Sequence, residues 1–550
     1  MMWFRTHSAL RALAIAAAAV TAAVGVVPAQ AKPPTPPPVA ATPLPLGPAG
    51  LTEQRTTEVL QLGVILTTIV RGAANGTESW TVEMIVPSGS SDPDPDAPPS
   101  ALRDRLSAEE LAAALTAAGF AARLEEVVTP ALYDVPGGTI GFRVRVGSFA
   151  SQAEANAELA RLRAAGYSGS SFFTGWDGDD PSDTGPWVVQ VLTVDPRLYR
   201  GQLHASFGPD LERRETTSAL AQAVNATAAI NAGYFVFNPA AGAPGDPAGV
   251  GVYNGKLLSE AINGRPALLM RADARQTAVA RLSWQGELVT ADGPALPLDG
   301  INRVPGLIRN CGGTGDQPTN LPRHDFTCTD TDELVAFTSE FGTTTPSGEG
   351  AEVVLDRQGR VIEMRMQRGG ALPAGGRSVQ ATGALVDDLL AIATVESKLR
   401  IESALLDETG KKVNTSFRES IVNGGPELVR DGQLHVTAAA DGFVHHENPS
   451  FFYGFVHKRN PRTFAGVDAH GRVVLITSDG RDTDTFGLSI AETAAVAQAL
   501  GLEDALNLDG GGSTTMVVDG QVVNDPSDAA GERPVGDALL ILPRRLNGQL

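Results

Sequence analysis

From Trp187 to the C-terminal end, turn-forming residues recur every 8–12 positions, a spacing that leaves room for short strands and few helices. Glycine and proline supply most of this punctuation, 60 and 37 of the 550 residues. Trp187–Val194, Ala228–Ala232, Leu334–Phe337, Glu352–Leu355, Val361–Met366 and Val473–Thr477 read as strands. Only Thr216–Val224, Ala384–Ala393 and Ser489–Leu500 read as helices. The pattern predicts an α+β fold, a strand-rich mixed α/β domain dominated by antiparallel sheet. Aromatic residues are sparse at 5%, but 42% of the chain is hydrophobic, enough to build a core and to exclude wholesale disorder.

Upstream of Trp187 the grammar changes. Gly63–Val70 is a β-rich run closed by Arg71-Gly72. An internal echo follows: strand Trp80–Val86, helix Ser107–Gly119, strand Phe120–Val128, then strand Ile140–Phe149, helix Ser151–Gly166, strand Tyr167–Trp176. Both helices read as Ser-capped and end in Ala-Ala-Gly, and Ser151 with Glu154 forms a capping box. Ala155, Leu159 and Leu162 make the stripe that packs on a sheet. Two such halves predict a small βαββαβ, ferredoxin-like unit of about 100 residues. The loop from Pro87 to Ser100 is rich in Pro, Ser and Asp.

Residues 1–31 read as an export signal: Arg5 and Arg11, an apolar run from Ala12 to Val27, then Ala29-Gln30-Ala31. Residues 32–50 carry eight prolines and suit a semi-stiff spacer. No later segment is long and apolar enough to span a bilayer, so no membrane contact is expected after signal cleavage. The formal charge of −20 becomes −22 on loss of Arg5 and Arg11, which argues against nucleic acid and anionic lipid as partners. The expected location is outside the cytoplasm, secreted or bound to the cell wall. Cys311 and Cys328, the two cysteines, are expected to form a disulfide that acts as a staple.

The chemistry concentrates in short polar segments. In Asn507–Gly520 (NLDGGGSTTMVVDG), Asp509 ends a strand, and Gly510, Gly511 and Gly512 let backbone N–H groups approach a ligand as an anion nest, with Ser513 and Thr514 adding hydroxyls. No Gly-Lys-Ser/Thr follows, so this is no Walker loop. NAGYF (Asn231–Phe235), NGGPELV (Asn423–Val429, with Gly424 and Gly425), PRTFAGVD (Pro461–Asp468, with Arg462 and Thr463) and TSDGR (Thr477–Arg481, with Asp479) are the companion clusters. Arginine's planar fork suits phosphate oxygens, and paired carboxylates divide acid and base duties in glycoside cleavage. Glu492, on the helix before the loop, reads as a cap or ion-pair partner, and His445 and His446 as a solvated polar turn. No cofactor is implied; carboxylates beside a phosphate could take a divalent cation, but no spacing here is diagnostic and the metal question stays open.

VRVGSFASQAEANAELARLRAAG (Val144–Gly166) resembles the SPOR family, which binds peptidoglycan glycan strands. The resemblance implies a ligand on the sheet face, near Val144, Val146 and Phe149. The ordered set NAGYF, NGGPELV, NPRTFAGVD, TSDGR, LNLDGGGSTTM and GERPVGDALL resembles the phosphodiester glycosidase family from about Gly185 to Pro543. That resemblance implies hydrolysis of the sugar C1–O bond of a glycosyl phosphodiester, of N-acetylglucosamine type, in envelope polysaccharide. It implies Arg462, Arg481 and the Gly510–Gly512 amides on the phosphate, Asp509 and Asp479 as acid and base, and Asn231 and Thr463 on the sugar. The expected layout is an opening strand of the catalytic domain in 51–76, an inserted SPOR-like domain in 77–180, and the rest of the catalytic domain in 185–543. The rival expectations are a non-catalytic envelope glycan-binding or exopolysaccharide-assembly protein on the same scaffold, and a structural wall protein.

Overall fold

The computed structural model describes residues 42–87 and 100–544, apart from residues 263, 292 and 294. The export signal, most of the Pro-rich stretch and most of the 87–100 loop lie outside the described residues. The framework is an antiparallel eight-stranded sheet in the order Glu53–Gln61, Val64–Arg71, Trp187–Val194, Val473–Ser478, Arg462–Asp468, Leu502–Asn507, Glu427–Arg430, Gln433–Leu434. Its central strands Trp187–Val194 and Val473–Ser478 are buried at nearly every position because both faces are covered. Val473 and Leu475 point to one core, Val474 and Ile476 to the other.

On the first side lie two five-stranded sheets. One runs Gln521–Val522, Met516–Val518, Ala228–Asn231, Ala538–Leu542, Gln202–Ser206; the other runs Lys256–Ser259, Gly251–Tyr253, Glu419–Asn423, Pro266–Arg271, Thr277–Arg281. Ile230, Leu268, Val422, Leu539 and Ile541 close this core against Leu192, Leu475 and Leu506. On the other side lies the helix Ile490–Ala499, whose Ile490, Ala494 and Ala497, with Leu500 at its end, are all buried as the apolar spacing predicts. A smaller lobe holds its own core, in which Leu334, Val353, Leu355 and Val379 pack against Leu389 of the helix Leu385–Ile392.

Residues 80–173 form a separate antiparallel sheet, Ala122–Thr129, Gly138–Phe149, Trp80–Met84, Gly169–Phe173, backed by helices Arg105–Ala117 and Gln152–Ala164. It emerges between Val64–Arg71 and Trp187–Val194, which pair along their whole length. The second helix has the Ser151/Glu154 capping box. The first begins two residues earlier than expected because Asp104, rather than Ser107, is its cap, Asp104 Oδ1 accepting from the Ser107 N–H at 3.0 Å. Val144 and Val146, expected beside a ligand, are fully buried under the helices with Val82, Leu115 and Leu162. The end of the Pro-rich stretch is packed: Leu44 and Leu46 are buried in the main core, and Arg71 Nε donates to the Leu46 carbonyl at 2.7 Å. His445 is another correction. It is buried and stacked on Phe451 at 3.9 Å, because the 443–457 segment folds inward as an aromatic cluster, while His446 is exposed.

Candidate active site

Antiparallel pairing places three site segments at one end of the central sheet. Arg462 pairs with Ser478, and Phe464 with Asn507. The start of one strand and the ends of its two neighbours therefore share an edge, bringing Arg462, Arg481 and Asp509 together. From the sides come Tyr234–Phe237 after a strand of the second sheet, the segment Arg309–Asp325 around the Cys311–Cys328 disulfide, the turn Pro449–His457, and Arg533 ahead of the last strand. They enclose two adjoining cavities of about 220 and 320 Å³ that share Asp325, Phe455, Asp509 and Arg533. The smaller is walled by Tyr234, Phe235, Phe237, Arg309, Asn310, His324 and Ser513; the larger by Phe451, Asn460, Arg462, Arg481 and Gly510–Gly512.

Asp509 lines both cavities. Burial among protein atoms pushes its carboxyl up to about 7, against the Ser513 hydroxyl and Arg533, which pull the other way, while Asp325 pushes it further up. Asp325 is held in place by Arg309, whose Nη2 donates to it, and by the Asn310 side chain, which accepts the Asp325 N–H at 2.7 Å. His324 lies beside it, 4.1 Å from Phe443 ring to ring; burial, aided by Arg265 and Arg309, holds its imidazole far below the usual value, so it is neutral.

The cationic side is built differently. Arg481 Nη2 donates to the amide oxygen of Asn460 at 2.9 Å, and Arg462 donates to the carbonyls of Leu488 (2.9 Å) and Phe455 (2.5 Å). All these acceptors are neutral. Burial lowers both guanidinium groups, Arg462 to about 10, with repulsion from Arg481 adding to it at Arg462 and repulsion from Arg533 adding to it at Arg481. Arg533 is paired with Asp528 through two bonds at 2.7 and 2.9 Å. The edge thus carries guanidinium charge that neutral oxygens hold in place without cancelling, as an anion site requires.

Several expected site residues act elsewhere. Asp479 does not line the cavities: its carboxylate accepts from Gln190 Nε2 (2.8 Å) and the Asp525 N–H (3.0 Å), anchoring the 524–525 loop behind the site. Asn231 and Thr463 face Asp509's backbone rather than the cleft, with Asn231 Nδ2 donating to the Asp509 carbonyl (2.6 Å) and Thr463 Oγ1 to Asn231 Oδ1 (2.7 Å). Gly424 and Gly425 pack behind the site, where a Cβ on Gly424 would lie 2.6 Å from Leu506 and the Gly425 N–H donates to the Asn507 carbonyl. The Gly511 N–H donates to the Pro461 carbonyl at 2.8 Å, so the amide nest is partly used internally. The glycines instead admit side chains: a Cβ on Gly512 would sit 2.1 Å from Arg533 Nη2 and 2.2 Å from Asp528 Oδ1. Thr514 lies buried outside the cavity walls.

Asp325, His324, Arg309 and Arg533 were not singled out from sequence. Arg533 sat in the quoted GERPVGDALL segment, and the other three flank the two cysteines, whose pairing was the available signal. Glu492 is the expected structural residue, capping its helix and binding Arg459 at 2.6 Å. Among the described residues the cluster of three metal-ligating types is Cys311, Asp316 and Cys328; the sulfurs are joined to each other and Asp316 accepts the Gly312 and Gly313 N–H groups, so it is a cross-linked turn.

Comparison with known proteins matches residues 349–542 to the phosphodiester glycosidase family and residues 100–173 to the SPOR domain. N-acetylglucosamine-1-phosphodiester alpha-N-acetylglucosaminidase of Bos taurus is 31% identical over 172 residues, 30% of this chain and 31% of that protein. The Mus musculus enzyme of the same name is 29% identical over 163 residues, 29% and 30% of the two chains. The chain thus spans about a third of the length of these curated relatives. Over nearly its whole length it is similar to the crystal structure of an exported protein from Burkholderia pseudomallei, at 35% identity and a TM-score of 0.82, covering 92% of this chain and 99% of that one. A protein of Synechocystis at 18% identity and a TM-score of 0.51, covering 89% and 75%, shares the fold.

Proposed function

We propose that this chain, whose residues 349–542 match the phosphodiester glycosidase family, hydrolyses the sugar C1–O bond of a glycosyl phosphodiester, of N-acetylglucosamine type, in cell-envelope polysaccharide. The observation that carries this reading is Asp509: a carboxyl raised to about 7, facing a second carboxylate across a cleft edged by guanidinium groups that neutral oxygens hold. The phosphodiester charge sits between Arg462 and Arg481 beside the Gly510–Gly512 turn. The sugar lies in the adjoining cavity among Tyr234, Phe235, Phe237 and neutral His324, where aromatic faces suit the apolar side of a pyranose. Asp509, protonated below neutral pH, donates to the departing phosphate oxygen, and Asp325, set by Arg309, supplies the carboxylate on the sugar side. Phosphate leaves more readily as its charge is stabilised, which the guanidinium groups do.

The SPOR domain supports residence at the cell wall, with peptidoglycan glycan strands as the attachment partner. Among the described residues no helix is long and apolar enough to cross a membrane. Incubation with a methyl N-acetylglucosamine-1-phosphodiester is the direct test: the expected result is free sugar, reduced about 10²–10⁴-fold in Asp509→Asn, the usual contribution of a positioned proton donor. Failure to release sugar, with retained binding of the diester, would favour the non-catalytic glycan-binding reading. Sedimentation of the full chain with isolated peptidoglycan tests attachment; a chain left in the supernatant would contradict it.

A further inference from the structure

The sheet of the inserted domain has both faces covered. Val82, Met84, Val144 and Val146 lie under its helices. The alternate residues Glu83, Arg143 and Arg145, exposed by 3%, 9% and 2%, meet the catalytic domain. Glu83 accepts from the Tyr453 hydroxyl (2.6 Å), Lys458 Nζ (2.5 Å) and Arg145 Nη2 (3.1 Å). Arg143 and Arg145 donate to Asp177 at 2.6–3.0 Å, Arg143 also reaches the Tyr453 hydroxyl at 2.7 Å, and the Lys458 ammonium and Arg145 guanidinium lie 4.4 and 4.5 Å from the Phe172 ring centre. Burial opposes charge on Glu83, yet Lys458, Arg145 and Arg143 hold its carboxyl down to about 2.

Tyr453 and Lys458 bracket the helical turn Tyr453–His457, and between them Phe455 lines both cavities. The Phe455 and Lys458 carbonyls accept from Arg462 Nη2, so the same turn sets the guanidinium. A second link runs from Trp176 Nε1 to the Asp482 carbonyl at 3.0 Å, next to Arg481.

We propose that Glu83 is a positioning residue for the cleft: the inserted domain uses its inner sheet face to fix the turn that carries Phe455, acting as a brace rather than as a module that holds glycan on that face. The wall attachment proposed above then falls to its outer surfaces. Because the effect on turnover rests on the proposed hydrolysis, the test has two arms. Hydrogen exchange of residues 449–458 is measured in the full chain, together with kcat and KM on the methyl diester, for wild type, Glu83→Gln and Lys458→Met. A control, Glu109→Gln, breaks the exposed Arg105–Glu109 pair on the same domain. The expected result is exchange in 449–458 faster by about tenfold and KM raised about tenfold with kcat within about twofold, the split of lost uniform binding, in both interface variants and not in the control. Lys458→Met keeps the apolar stem and serves if Glu83→Gln does not fold. Folded interface variants with wild-type exchange and wild-type KM would overturn the proposal. If wild type releases no sugar, the hydrolytic reading fails and the exchange arm alone decides this one.

Discussion

Asp509 is the residue on which pH acts. Its carboxyl moves from an ordinary 3.8 to about 7 in the folded chain, so folding takes up a proton between those values. Stability from this group is therefore present at low pH and lost as pH rises through about 7, the reverse of an ion-paired aspartate. A thermal midpoint that falls over that interval in wild type and less steeply in Asp509→Asn is the expected outcome; identical slopes would contradict the assignment. As a proton donor, Asp509 also predicts a kcat/KM limb that falls above pH 7. Arg481→Gln removes a guanidinium at the cleft edge and is expected to weaken inorganic phosphate binding about tenfold or more, read by calorimetry, the usual scale for a charge-assisted contact. The convergence of Asp509 with Arg462 and Arg481 on one cavity was legible because each lies at a strand end marked by glycine or proline. Sequence misplaced Asp479, Asn231 and Thr463 because polarity beside a strand end does not say which way a side chain turns; the bonds to Gln190, Asp525 and the Asp509 carbonyl decide that.

At the scale of elements, the regular strands were legible and the walls of the cleft were not. Val473–Ser478 and Trp187–Val194 are apolar runs between turns and were recognisable as buried strands. The turn Pro449–His457 and the disulfide segment have no periodicity; their shape comes from tertiary partners such as Tyr453 with Glu83 and Asp325 with Arg309. Two predictions belong here. Gly512→Ala drives a methyl into the Arg533–Asp528 pair, so sugar release is expected to fall at least tenfold with the thermal midpoint little changed. Loss of the disulfide in the Cys311→Ser, Cys328→Ser double variant removes a 17-residue closure worth about 3 kcal/mol in the chain-entropy account. Because His324 and Asp325 sit inside that loop, denaturant unfolding and KM are both expected to shift; a change in stability alone would separate the staple from the site.

Across the whole molecule, the unit of residues 80–173 and the strand-rich remainder of the described chain share one interior. Trp80, Ala155 and Phe173 of the inserted unit join the core cluster that holds Trp187, Phe464 and Ile490. The repeated strand–helix–strand pattern exposed the unit in sequence, and the pairing of Val64–Arg71 with Trp187–Val194 shows how it can enter without breaking the sheet. What no local pattern carried was the docking, because the alternation of Glu83, Arg143 and Arg145 with apolar neighbours does not say what covers them. The central claim is that the edge where Arg462, Arg481 and Asp509 meet is a site of glycosyl phosphodiester hydrolysis. The pH dependence of N-acetylglucosamine release from the methyl phosphodiester, in wild type and Asp509→Asn, tests it most directly: the account predicts sustained turnover that declines above about pH 7 and is about 10²–10⁴-fold slower in the variant, whereas no release at any pH, or equal release by both proteins, would contradict it.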